Sequence, residues 1–303
     1  MNGEPGANRV RHTRASNPLL GDSIMKLRRI VVMLDGSEAD TPVLRQGAEL
    51  CRQYAARLDA LFVRRNLASG ADFLGDSFST YGMEAVLEAL ADAAAAASDS
   101  AHAAFNTVAD EADDAVIGRF IEYVGLPDEA LADEGRLCDL LVMAKPEGRA
   151  GAHQLQSISM AATQSGRPVL LLPAGRDAKA GFDRIAIAWD GSLEAMRATV
   201  GAMPMLEAAK AVSVLHAGSD AEASDQLSAV AAYLDLHGIA TSTSTVALEG
   251  RSAAKALIEA ATTGHADLLV MGGFGAPALV RAIGRDETTG LIDGTGFALL
   301  LAH

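Results

Sequence analysis

The chain carries one series of motifs twice, and this duplication restricts its fold more than any other feature. Arg29-Ile30-Val31-Val32-Met33-Leu34-Asp35-Gly36-Ser37 recurs as Arg184-Ile185-Ala186-Ile187-Ala188-Trp189-Asp190-Gly191-Ser192. Asp139-Leu140-Leu141-Val142-Met143 recurs as Asp267-Leu268-Leu269-Val270-Met271, and the apolar run from Pro168 to Pro173 has its echo in Gly296 to Leu301. A repeat unit of roughly 120–150 residues is the size of a whole domain, so the chain reads as two copies of one fold and not as a solenoid.

Within each copy, strand and helix patterns alternate. Ile30 to Leu34 is a continuous apolar run rich in β-branched residues, the mark of a strand buried on both faces in a parallel sheet. Asp35-Gly36-Ser37 turns the chain. Ser37 with Asp40 resembles a capping box in which Asp replaces Glu, and Leu44, Ala48, Cys51, Ala55 and Leu58 carry the spacing of one helix face. Leu58 to Val63 reads as the second strand. The pattern continues with a helix over Glu84 to His102, a strand over Ile117 to Val124, a helix opening at Pro127, a strand over Asp139 to Met143, a helix over Leu155 to Gln164 and a strand over Val169 to Leu172.

The second copy gives strand Ile185 to Trp189, helix Leu193 to Ala209, strand Val212 to His216, helix Ala221 to His237 and strand Thr241 to Leu248. It continues with helix Ser252 to Thr262, strand Leu268 to Met271, a loop and helix, and strand Phe297 to Leu301. This order predicts an α/β fold of two doubly wound five-stranded parallel sheets, with ligand sites beyond the carboxyl ends of the strands.

The same reading sets the domain plan. Residues 1–25 are polar, are broken by Pro5, Gly6 and Pro18, and read as a disordered extension. Residues 26–174 form the first domain, Gly175 to Gly181 a linker, and residues 182–303 the second domain. The stretch from Asn66 to Gly82, rich in Gly, Ser and Phe, has little counterpart in the second copy and reads as a loop or lid leading into a longer helix.

At 303 residues, 50% of them hydrophobic, the chain has enough apolar surface for two cores. Its 39 acidic against 25 basic side chains give a net charge of -14, and with no local basic stripe this argues against nucleic acid and anionic membranes as partners. Cys51 and Cys138 have no Cys or His at ligand spacing, which predicts neither metal nor disulfide and suits a reducing cytoplasm. No run reaches the roughly 18 apolar residues of a membrane span.

The expected carboxyl ends hold Asp35 and Asp190 after the first strands. After the fourth come Ala144-Lys145-Pro146-Glu147 and Gly272-Gly273-Phe274-Gly275. A Gly-rich turn opening a helix can cradle phosphate, or it can simply be a tight turn, and the fragment alone leaves both readings open. Asp35 and Asp190 can likewise contact a ligand or cap the turn that follows them. Ser37 and Ser192 lie in no nucleophile elbow, and no His recurs at a repeated position to act as base. His216 reads as a core or pocket-edge imidazole, and His102, His153, His237 and His265 as solvent-facing. These features predict a protein that is not an enzyme.

The residues carry a resemblance at this point. The opening Val32 to Ser37, with Ile187 in place of Val in the second copy, the segment Ala266 to Gly275 and the short apolar strand before Ala302-His303 resemble the universal stress protein (UspA) family, in tandem form, over roughly residues 26–303. The resemblance implies an adenine-nucleotide alpha hydrolase-like fold of five parallel strands per unit, paired through the last strand. It also implies a role in the stress response by binding and signalling. In nucleotide-binding members the aspartate after the first strand lies near adenosine, and a G-x2-G-x9-G-[Ser/Thr] loop holds the phosphates.

Carried over residue by residue, Gly272 and Gly275 match the first two glycines, whereas Arg285-Asp286 stand where Gly-Ser or Gly-Thr belongs and Gly284 falls one position early. Asp286 would repel phosphate, with Arg285 to offset it, and Pro277 is tolerated at the helix start. In the first copy Ala144 and Glu147 occupy the glycine positions, and Lys145-Pro146-Glu147 reads as a solvated turn. The expectation is therefore no nucleotide site in the first unit and a degenerate one in the second. That site would hold ATP or another adenine nucleotide through Asp190, Gly191, Ser192, Gly272, Gly275 and Arg285. The two domains are expected to pack as an intramolecular pseudo-dimer, with homodimerisation left open. The alternatives are a nucleotide-independent interaction module and, further off, a weak ATP hydrolase.

Overall fold

A strand covered on both faces needs an apolar side chain at every position, and Ile30, Val31 and Val32, all at 0% exposure, meet that condition. They lie in the computed structural model of the chain, which describes residues 26–65, 80–146, 152–179, 181–272 and 296–303. The first half runs β1 (Arg29–Leu34), α1 (Asp40–Tyr54), β2 (Arg57–Arg65), α2 (Thr80–Glu111), β3 (Ile117–Gly125), α3 (Pro127–Ala130), β4 (Leu140–Ala144), α4 (Ala152–Gln164) and β5 (Val169–Leu172), with a π-helical turn over Leu131–Gly135 extending α3. The second runs β6 (Arg184–Ala188), α5 (Leu193–Gly201), α6 (Met203–Ala208), β7 (Ala211–Ala217), α7 (Asp220–Leu236), β8 (Thr241–Val246), α8 (Ala253–Thr263), β9 (Leu268–Gly272) and β10 (Ala298–Ala302).

The strands form one ten-stranded sheet in the order β3-β2-β1-β4-β5-β10-β9-β6-β7-β8. Each half has the expected five parallel strands in the same relative order. The two predicted sheets are continuous because β5 and β10 pair antiparallel, with Leu171 opposite Leu299, Leu170 opposite Leu300 and Val169 opposite Leu301. These strands are apolar throughout, and an unpaired edge of that kind would expose both its ladder groups and its side chains. Helices cover both faces. One core packs Leu44, Phe105, Met203, Leu206, Leu227 and Leu234 against the sheet, and the other packs Leu131, Ile158, Leu257 and Ile258.

Two local expectations change. The helix predicted over Leu193 to Ala209 is two helices that break at Ala202, because Pro204 lacks the N–H and carries a ring that a continuous helix would not accept. Ser37 does not cap α1, which starts after Ala39 without a side-chain cap, whereas Ser192 does cap α5 by accepting from the Ala195 amide at 3.1 Å. The insertion in the first copy does lengthen a helix, since α2 spans 32 residues against 17 in α7. Residues 66–79 of that insertion, and the extension 1–25, lie outside the described residues. Both cysteines are free and buried, and burial pushes each thiol up to about 12.

Candidate functional site

In both halves the chain leaves the first strand through the same turn. Asp35 accepts from the Ser37 amide at 3.0 Å, and Asp190 from the Ser192 amide at 3.0 Å. The glycine between them is left-handed in each case, at φ 82° for Gly36 and 75° for Gly191. A side chain on Gly36 would come within 2.6 Å of the Ala97 carbonyl of α2, and one on Gly191 within 2.6 Å of the Gln226 side chain of α7. The repeated Asp-Gly-Ser therefore serves turn geometry and the close approach of the next helix, and the capping reading of both aspartates is realised.

Beyond these turns lies the place where strand order reverses, between β1 and β4 and again between β6 and β9, which is where doubly wound sheets hold ligands. In the first half a cleft of about 830 Å³ opens there, lined among others by Asp35, Asp40, Phe62, Arg64, Ala97 and Lys145. Asp40 is only 3% exposed. Its carboxylate reaches back to accept from the Gly36 amide at 2.8 Å and the Asp35 amide at 3.2 Å. Burial, reinforced by the neighbouring Asp35 charge, outweighs those bonds and pushes Asp40 up to about 6. Sequence reasoning gave Asp40 a cap role only. The available signal was the repeat itself, which sets Ala195 at the equivalent position.

Lys145 corrects a second expectation. The solvated turn is in fact buried at this residue, 4% exposed, with Nζ donating to the Phe297 carbonyl at 3.1 Å and lying 5.3 Å from the ring centre. Arg64, the other lining cation, is paired with Glu122 at 2.7 Å.

In the second half Asp190, Gly191 and Ser192 stand together on the turn that opens α5. Gly272 ends β9 beside the first turn of that helix, where an added side chain would fall within 2.0 Å of the Ala195 amide nitrogen. Only glycine fits this approach. Among the described residues the buried indole Nε1 of Trp189 has no hydrogen-bond partner, and His216 Nδ1 lies 3.0 Å from the Trp189 carbonyl. Gly275, Arg285, Pro277, Gly284, Asp286 and, in the first half, Glu147 lie outside the described residues. Among the described residues no group of His, Cys, Asp and Glu is placed to hold a metal ion, and no helix is long and apolar enough to cross a membrane.

Comparison with known proteins agrees with this architecture. The universal stress protein family model matches residues 26–173. The fold is similar to a universal stress protein from Archaeoglobus fulgidus DSM 4304, with a TM-score of 0.66 at 16% identity over 91% of this chain and 96% of that one. It is also similar to a functionally unknown protein from Pseudomonas aeruginosa PAO1, with a TM-score of 0.51 at 14% identity over 91% of this chain and 92% of that one. No curated protein matches the sequence. Residues 26–173 thus form a domain of the universal stress protein family, carried on a chain whose whole sheet has the fold of such proteins.

Proposed function

We propose that the chain is a tandem universal stress protein that acts by binding a nucleotide without chemistry on it, and that its site is the carboxyl-end cleft of the first half. The observation that carries this reading is the position of the cleft, about 830 Å³ at the switch point between β1 and β4, with the Asp35 carboxylate at its rim. A rim carboxylate suits the hydroxyls of a ribose. The described lining residues include three acids, Asp35, Glu38 and Asp40, while both lining cations are engaged elsewhere. Such a cleft favours adenosine or its monophosphate over the triphosphate, whose charge it would repel.

A second reading keeps the ligand in the second half, around Asp190, Gly191, Ser192 and Gly272 with Gly275 and Arg285. The Trp189 indole N–H, a donor next to Asp190 in sequence and without a partner among the described residues, favours it. The close packing of Gly272 on α5 weighs against it, because a glycine needed for packing is not evidence of a phosphate cradle.

Isothermal titration of the full chain with adenosine, AMP and ATP tests both, using Asp35→Ala and Asp190→Ala beside the unmodified protein. The expected result is AMP binding that Asp35→Ala removes and Asp190→Ala leaves intact. Loss in Asp190→Ala alone would move the site to the second half. Absence of heat with every ligand would leave a nucleotide-independent interaction module, and phosphate release from ATP would overturn a purely binding role.

A further inference from the structure

The two halves also differ at the opposite, amino ends of their strands. In the first half the Asp59 carboxylate, 6% exposed, accepts from Arg29 Nε at 2.8 Å, from the Arg119 amide at 2.9 Å and from Arg119 Nη2 at 3.0 Å. Arg29 Nη2 also meets Glu134 at 2.6 Å. Two guanidinium groups and two carboxylates fill the space between the strands and the π-helical turn, and their charges cancel.

The strand register identifies what replaces this network. Asp59 stands opposite Val31 in the β1/β2 ladder, and the matching position, opposite Ala186 in the β6/β7 ladder, is Ser213. Its neighbour on β8 is Ser242. Arg29 persists as Arg184, the residue that opens the repeated motif. The carboxylate has gone and the cation has stayed. The space beside it is an open cavity of about 600 Å³ lined by Arg184, Ser242 and Ser244, which are exposed, by the half-buried Ser213, and by Arg251 and Glu259, among others. Arg251 is already held by Glu259, and by Glu249 at 3.1 Å. Among the described residues the Arg184 guanidinium has neither an ion pair nor a hydrogen bond, and no hydrogen bond reaches the hydroxyls of Ser213, Ser242 and Ser244.

From this juxtaposition we infer that the cavity is a binding site for a small oxyanion, the phosphate or carboxylate group of a metabolite, held by Arg184 and the hydroxyls of Ser213, Ser242 and Ser244. A guanidinium fork matches either group in two parallel hydrogen bonds, and a hydroxyl can donate to the remaining oxygens. Glu259, the lining carboxylate among the described residues, is paired with Arg251, which it shares with Glu249. The ligand takes the place that Asp59 occupies in the first half. The site is separate from the carboxyl-end cleft and does not depend on what binds there.

The experiment is an amide NMR titration of the full chain with inorganic phosphate and, separately, with acetate, at constant ionic strength made up with chloride. It is repeated on Arg184→Gln and on Ser213→Asp, the latter restoring the carboxylate of the first half. Saturable movement of the Ser213, Ser242 and Ser244 amides with either anion, weakened at least tenfold in both variants, is the expected result. The anion that binds more tightly names the group. Ser213→Asp is further expected to raise the thermal midpoint, because it gives Arg184 the internal partner that Arg29 has. Shifts that fail to saturate in the unmodified protein, or that persist unchanged in both variants, overturn the site. The nucleotide titration of the carboxyl-end cleft is unaffected by either outcome.

Discussion

Lys145 Nζ donates to the carbonyl oxygen of Phe297 at 3.1 Å, joining the residue after β4 in the first half to the residue before β10 in the second. A buried ammonium keeps its charge only where oxygens and ring faces replace its water, and the Phe297 ring at 5.3 Å supplies part of that replacement. Lys145→Ala should destabilise the protein by about 3 kcal/mol, since it strands a buried carbonyl and opens a cavity. Lys145→Met, which keeps the stem and removes the cost of burying a charge, should lose about half as much. Urea unfolding followed by the fluorescence of Trp189, the sole tryptophan, measures both. Equal losses would mean that the ammonium and its hydrogen bond matter and the volume of the side chain does not.

The two turn glycines should not tolerate alanine equally. Both have positive φ, which costs alanine about 1 kcal/mol. At Gly36 the new methyl would meet the Ala97 backbone at 2.6 Å, which cannot move without shifting α2, whereas at Gly191 it would meet the flexible end of Gln226. Gly36→Ala should therefore cost about 3 kcal/mol and Gly191→Ala about 1 kcal/mol. Thermal unfolding of the two variants compares them, and the reverse ranking would contradict the packing of α2 on the first turn.

Asp40 gives stability a pH dependence of unusual sign. Its carboxyl titrates at about 6 in the folded protein against an ordinary 3.8, so between those values the native state holds the proton that the unfolded chain has released. Stability from this group is full below the ordinary value and is lost as pH rises towards about 6. Asp40→Asn keeps an acceptor for the Gly36 amide and removes the titration. The variant should be more stable than the unmodified protein by about 2 kcal/mol above pH 7, with the advantage vanishing near pH 4. Chemical unfolding across that range checks it, and parallel pH profiles would refute the assignment.

Asp59 should behave in the opposite sense. Burial opposes its charge, yet the hydrogen bonds from Arg119 and Arg29 outweigh that cost and hold its carboxyl below the ordinary carboxylate range. The stability it adds is present above the ordinary carboxylate value and disappears as pH falls through its lowered folded value. Asp59→Ala should cost about 3–5 kcal/mol at neutral pH, because it leaves the guanidiniums of Arg29 and Arg119 to share the one carboxylate of Glu134. The loss should shrink in acid, and equilibrium unfolding at neutral and acidic pH measures it.

The legible part of this protein was everything governed by local pattern. The apolar run Ile30 to Leu34 could only be a doubly covered strand, and its copy at Ile185 declared a second unit of the same fold. The Asp-Gly-Ser turns were readable as turns because an aspartate next to glycine satisfies its own backbone. Pro204 is visible in the sequence, and the split it imposes on the helix is a local effect.

Tertiary structure decided whatever depends on which atoms meet across long separations. Lys145 stands in a polar sequence and reads as solvated, yet the β5/β10 pairing brings Phe297 to it and buries it. Asp40 looks like an ordinary first-turn acid until the fold closes over it, and only desolvation then makes it titrate differently. Gly272 matches a phosphate-loop pattern by spacing, while its contact with the Ala195 amide shows a packing demand of another kind. A sequence records the order of side chains, and so it fixes periodicity and turn chemistry. Burial, charge pairing and close approach are properties of neighbours, and neighbours exist only once the sheet has assembled.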